Sequence, residues 1–185
     1  MTDIRTVFRY FLENRLCSDD LAAHRGAGVY AIFAETQQCL PNIELPQSGL
    51  LYIGQSGNLA HRNHFKEKYK RPSTVRRSLG AILKSELELN AEPRLTGRSP
   101  SNYKNYCFGD QGETCLSKWM KKNLTCAIFL LDSDEHVRKI IEKRLIKEYE
   151  PPLNLINWQN PQKKMIEKLR EDCREKAKIV WQERL

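Results

Sequence analysis

Gly28-Val29-Tyr30-Ala31-Ile32-Phe33 and, after a loop, Leu50-Leu51-Tyr52-Ile53-Gly54 followed by Gln55-Ser56-Gly57-Asn58 and a run through Leu59 to Arg62 decide how this chain reads. Each apolar run is short, β-branched and aromatic, and flanked by turn formers, which predicts two strands. The intervening residues 34–49 hold Pro41, Pro46 and Gly49, so a hairpin with a long connection is the simplest arrangement. Beyond Gly54 the period changes. Ser56 and Asn58 are candidate caps for a helix beginning near Leu59. At about 100° per residue, Leu59, Phe65 and Tyr69 share one face, and Arg62 falls inside their stripe. A guanidinium there needs an anionic partner or a wet cleft; the structural alternative is a side chain snorkelling at the stripe's edge.

The 185 residues suit one domain with decorations around a single core. Net charge is +8 and the pI about 9.2, a balance that favours an anionic partner such as nucleic acid. No apolar run reaches the length of a membrane span, and MTDIRTVFRYFLENR lacks the apolar core of a secretory signal. The expected location is the cytoplasm, with no membrane partner. The six cysteines form no CxxC pair and no histidines group near them. Neither a zinc site nor a disulfide framework is therefore supported.

Residues 3–16 read as an amphipathic helix with Ile4, Val7, Phe8, Phe11 and Leu12 inward, packed on the core. His24 is a lone loop histidine. Past Arg62 the chain stays basic, with Lys66, Lys68, Lys70, Arg71, Arg76 and Arg77 against the single acid Glu67. Such a run is often only a solvated face, but several cations together are also suited to binding phosphates. Residues 74–89 predict a helix with Val75, Leu79, Ile82, Leu83 and Leu87 as its core face. Residues 90–112, punctuated by Pro93, Gly97, Pro100, Gly109 and Gly112, are the loosest part, and read with the preceding helix as an insertion, either a lid or a DNA-contacting element. A short helix over 113–122 leads into Leu124–Leu131, a candidate third, buried strand.

Asp132-Ser133-Asp134 offers cap chemistry for a helix to about Tyr149. Val137, Ile140, Ile141, Leu145, Ile146 and Tyr149 define its inward arc, and Glu142 lies within that arc. A carboxylate so placed is paired or binds a metal; a salt bridge, to Arg62 for instance, is the structural alternative. Pro151-Pro152 ends the helix, and Asn154 follows between two leucines. The tail, 160–185, is charged and helical in pattern, with Met165, Ile166, Leu169, Cys173, Ile179, Val180 and Trp181 as apolar points. Packing or a dimer contact is its expected use.

Gly28-Val29-Tyr30, Tyr52-Ile53-Gly54, an arginine ten residues beyond Tyr52, and Glu142 with Tyr149, Pro151 and Asn154 in order and spacing together resemble the GIY-YIG nuclease family. The first triplet reads GVY, a conservative variant, and the resemblance covers about 27–156. It implies an α+β (α/β sandwich) fold: a small three-stranded antiparallel sheet flanked by helices, with a helical insertion and terminal helices. The expected organisation is an N-terminal helical extension over 1–26, a nuclease domain over 27–156 with an insertion at about 70–112, and a C-terminal helix over 157–185.

The resemblance further implies a divalent-metal-dependent endonuclease that hydrolyses DNA phosphodiester bonds with a single active site. Glu142 would hold Mg²⁺ (or Mn²⁺), Arg62 would bind the scissile phosphate, and Tyr30 would activate water. Tyr52 would orient the nucleophile or phosphate, with the two tyrosine roles exchangeable, and Asn154 would hold the site together. These residue types suit the reaction. Carboxylates take hard cations, guanidinium forks pair with phosphate oxygens, and phenols relay protons when a cation lowers their pKa. Some members carry a histidine one helical turn after the arginine; that position here is Lys66, which shares the Arg62 face and would assist by contacting phosphate or by lowering a tyrosine pKa. A compact stand-alone nuclease is expected, with restriction, repair and mobile-element roles open and a homodimer favoured if both strands are cut. The competing readings are a catalytically inactive nucleic-acid-binding module that kept the fold, and an interaction protein that is merely basic.

Overall fold

The computed structural model describes residues 3–17, 25–62, 64–66, 73–95, 97 and 99–184; the side chains of His61 and Arg62 lie outside the description. The chain divides into two compact units, Met1–Asn63 with Lys121–Pro161, and His64–Met120 with Gln162–Leu185. None of the described helices is long and apolar enough to cross a membrane.

The first unit is built on an antiparallel sheet of β1 (Gly28–Ala34), β2 (Leu50–Ser56) and β3 (Leu124–Leu130), in the order β2-β1-β3. All seven residues of β1 are buried, as a central strand covered on both faces requires. Its alternate residues Val29, Ala31 and Phe33 face one core with Leu50, Ile53 and Ala127. Helices α1 (Ile4–Glu13) and α5 (Glu135–Tyr149) close that core with Ile4, Val7, Phe11, Ile141, Leu145 and Ile146. Phe8 of α1 stacks on Tyr149 of α5 with ring centroids 3.6 Å apart. Both sheet edges are occupied, which removes templates for strand addition. Leu16 exchanges backbone bonds with Cys126 on β3, and Leu153 donates to the Leu51 carbonyl on β2.

The second unit contains α2 (Thr74–Ile82), the four-residue α3 (Ser101–Lys104), the larger part of α4 (Gly109–Asn123) and α6 (Lys163–Glu183). The tail helix packs on α2 and α3, burying Ile166, Cys173 and Ala177. The segment read as an insertion and the tail thus fall in one unit.

The α+β architecture with its three antiparallel strands is the one the sequence predicts; several local expectations are corrected. Instead of a helix starting near Leu59, there is a single 3-10 turn, Leu59–Arg62, followed by a turn at His64 and Phe65. The carbonyls of His64 and Lys66 accept from the side chains of Arg76 and Ser117, and the rest of the expected helix, 67–70, lies outside the described residues. The helical-face argument that set Lys66 beside Arg62 therefore has no helix to rest on. The helix expected over 74–89 stops at Ile82 and loosens into turns that end at Glu88 with φ +51°. Its neighbour α4 begins at Gly109, four residues before the expected start, and takes in two glycines that read as loop. Within 90–112, Glu92 and Cys107 pair as an isolated bridge. On α5, Val137 and Ile140 are exposed and Arg138 is buried, so the inward arc is rotated from the one periodicity suggested. Leu12, expected inward on α1, is likewise exposed.

Candidate active site

Antiparallel partners lie on the same sheet face. Tyr30 opposes Gly54 and Ile32 opposes Tyr52, so both phenols leave the sheet on the face away from α1 and α5. Their ring centroids are 6.1 Å apart, tilted by 40°. Tyr30 is buried and Tyr52 half-buried. Gly54 makes room for this: a Cβ there would stand 2.5 Å from both Cζ and Oη of Tyr30. Gly28 is similarly constrained, since its Cβ would meet the Phe129 carbonyl oxygen at 2.3 Å. The two glycines of the motif are thus required by close approach, one of a ring and one of backbone.

Asn154 is fixed to the strand between Tyr52 and Gly54. Its Oδ1 accepts from the Ile53 amide at 2.8 Å, and its Nδ2 donates to the Ile53 carbonyl at 2.9 Å. One buried side chain therefore satisfies both backbone groups of Ile53 at the edge of the sheet. The turn holding it follows from Glu150, which caps α5 in the left-handed region at φ +49°, and from Pro151-Pro152. Two residues that the sequence reading passed over support it. Trp158 Nε1 donates to the Asn154 carbonyl at 2.7 Å, and Asn160 Nδ2 donates to the Pro152 and Asn154 carbonyls at 2.7 and 3.2 Å. A buried amide six residues after another, in a segment of prolines and asparagines, is the only sequence signal either left.

Asp134, the last of the three predicted cap residues, accepts from the Val137 amide at 2.8 Å and starts α5. That helix packs chiefly on β2, the edge strand, and less on β1. Glu142 is half-buried on it, beside Ile141 and one turn before Leu145 and Ile146. One turn earlier, on the same stripe, Arg138 is buried, reaches Gln55 Oε1 through Nε, and donates from Nη1 to the Ser133 carbonyl. It was missed because a cation among apolar helix positions reads as surface.

The phenols are thus brought together and Asn154 is set on the strand beneath them. Glu142 is on α5, which covers the sheet face opposite the one the phenols leave by, and Arg62 is at the end of the 3-10 turn that follows β2, its side chain outside the described residues. A single half-buried carboxylate suits a hard cation that keeps most of its waters and takes one or two carboxylates plus substrate phosphate, as Mg²⁺ does. Among the described residues no three His, Cys, Asp or Glu side chains group as a metal cage.

Of the basic run, Lys68, Lys70 and Arg71 lie outside the described residues, and Lys66 is exposed. Arg76 corrects the expectation of a phosphate contact. It is 3% exposed, its Nε and Nη2 meet Glu113 Oε2 at 2.8 and 2.5 Å, and its Nη1 donates to the His64 carbonyl at 2.7 Å. Its charge is answered inside the second unit. Arg77 is half-buried, with Nη1 donating to the Lys104 carbonyl and Asn105 Oδ1, both at 3.1 Å.

The GIY-YIG catalytic domain matches residues 28–176 of this chain, and the chain belongs to that family. It therefore carries a nuclease-type domain, for which nucleic acid is the substrate class. Comparison with curated proteins gave no match, and comparison with solved structures gave none.

Proposed function

We propose that the chain is a divalent-metal-dependent endonuclease that hydrolyses DNA phosphodiester bonds at one site made by Tyr30, Tyr52, Arg62, Glu142 and Asn154. The observation that carries this reading is the pair of phenols held side by side over Gly54, on strands matching the family's motif. Glu142 would hold Mg²⁺ (or Mn²⁺), which when bound supplies charge stabilisation at the phosphoryl oxygens and acidifies water. Tyr30, as its phenolate after giving its own proton to solvent, takes the proton of the attacking water as that water's oxygen bonds to phosphorus. The departing 3′ oxygen takes its proton from solvent water. Tyr52 orients that water or the phosphate. Arg62 pairs with nonbridging oxygens, whose charge grows as the bond to the 3′ oxygen breaks and that oxygen gains a proton. Asn154 touches no reacting atom; it fixes the strand that carries Tyr52. We place the protein in the cytoplasm.

The test is incubation of supercoiled plasmid, linear duplex and branched DNA with protein and Mg²⁺ or Mn²⁺, followed by mapping of the ends. The expected result is cutting by wild type and none by Glu142→Ala, with DNA binding kept. Conversion straight to linear plasmid would indicate a homodimer, and open circles a nicking monomer. Wild-type protein that binds DNA but never cuts would instead be a catalytically inactive module of the same fold.

A further inference from the structure

The second unit gathers four arginines from three segments. Arg77 comes from α2, Arg170 and Arg174 lie one turn apart on α6, and Arg94 follows the Glu92–Cys107 bridge. Helices α2 and α6 pack directly on each other. Burial depresses the ionisation of Arg77, and the charges of Arg170, Arg174 and Arg94 depress it further. Of the acids near them in sequence, Glu92 pairs with Arg184 and Glu175 with Lys178, Asp172 is exposed, and Glu171 answers part of the Arg174 charge through Nη1. Tyr106, whose hydroxyl donates to the Arg77 carbonyl, adds no negative charge, because burial pushes its phenol well up. The Cys173 thiol is pushed up by burial as well.

Among the described residues, the buried Nε–H groups of Arg77 and Arg174 have no hydrogen-bond acceptor, an arrangement that costs stability unless a ligand fills it. Like charges drawn together from separate segments, with Nε–H donors unpartnered, match an anion whose oxygens accept several bonds at once.

We propose that Arg77, Arg170 and Arg174, with Arg94 beside them, form a phosphate-binding site that grips the sugar-phosphate backbone of a nucleic acid. The inference rests on the nuclease reading above and adds to it a second hold on the substrate, made by the insertion and the tail helix and taking no part in the chemistry.

The experiment measures binding of the full chain to a fluorescent DNA duplex in EDTA, by anisotropy across a series of salt concentrations. Arg170→Gln and the double variant R170Q/R174Q are compared with wild type, with thermal melting of each. The double variant should bind about tenfold more weakly or worse. Its log–log salt slope should be shallower by about two, at ~0.9 for each phosphate no longer neutralised. Melting of Arg170→Gln should be unchanged or higher, because a repulsion is removed; a structural arginine would give the opposite. At saturating DNA and with Mg²⁺ the variants should still cut. Variants that bind with wild-type affinity and slope overturn the proposal and leave the nuclease reading intact. Wild-type protein with no salt-sensitive DNA binding overturns both. If pyrophosphate then raises the melting point of wild type but not of R170Q/R174Q, the cluster serves a free phosphate and not a backbone.

Discussion

The ring of Tyr30 lies against the bare Cα of Gly54, its partner across the β1–β2 pair, so closely that a methyl group there would overlap Cζ and Oη at 2.5 Å. The glycine is therefore a statement about where the phenol sits. In Gly54→Ala the ring must swing aside while the strands keep their hydrogen bonds. We expect a folded protein with a melting point lowered by several degrees, and cleavage lowered at least about a hundredfold, the scale of a misplaced proton-transfer group. Melting and cleavage measured on the same preparation check this; a variant that cuts at the wild-type rate contradicts it.

Asn154 satisfies both backbone groups of Ile53. Truncation in Asn154→Ala leaves a buried donor and a buried acceptor together, at a cost of about 2 kcal/mol or more. Asn154→Asp keeps the acceptor but sets a carboxylate oxygen against the Ile53 carbonyl, and should be at least as damaging. Urea unfolding midpoints measure both. A shift worth less than about 0.5 kcal/mol in either would mean that the amide is dispensable.

Arg76 and Glu113 are a buried pair, and removing one partner strands the other. Arg76→Ala should destabilise by about 3–5 kcal/mol. Where the variant remains folded, its DNA affinity and salt slope should match wild type, because the native guanidinium faces inward. A shallower slope in folded Arg76→Ala would restore it to the phosphate-contacting set.

The alkaline limb of stability follows from the second unit. Burial raises the Cys173 thiol above its ordinary value of 9.0, and burial above all raises Tyr106 and Cys107 as well. The folded state therefore keeps protons that the unfolded chain gives up. Their stabilising contribution is whole below about pH 9 and is lost as pH climbs from there toward the folded-state values. Melting points should fall above about pH 9, and Cys173→Ala should flatten part of that fall. An unchanged profile in the variant would count against a thiol held neutral by packing.

What the sequence disclosed and what it hid differ in kind. The strands were legible because Gly28–Phe33 and Leu50–Gly54 carry alternation and turn flanks within a few residues, and α5 because Asp134 caps it and Pro151 follows it. The spacing of Glu142 and Asn154 was legible as a motif, but the reason for it was not: Asn154 bonds Ile53, 101 positions away in sequence. The failed helix after Leu59 shows the same limit. Its pattern was periodic, yet the carbonyls of His64 and Lys66 are taken by Arg76 and Ser117. Arg76 read as one of a basic run and Arg138 drew no notice, since nothing local announces that Glu113 or Gln55 will meet them.

The most direct test of the account is single-turnover cleavage by Tyr30→Phe, which removes one oxygen and leaves the packing over Gly54 in place. With Mg²⁺ and saturating duplex DNA, we predict unchanged binding and melting and a cleavage rate lower by about 10²–10⁴-fold, the range for a lost general base. A Tyr30→Phe protein that cuts DNA as fast as wild type would contradict the assignment of this phenol to the chemistry.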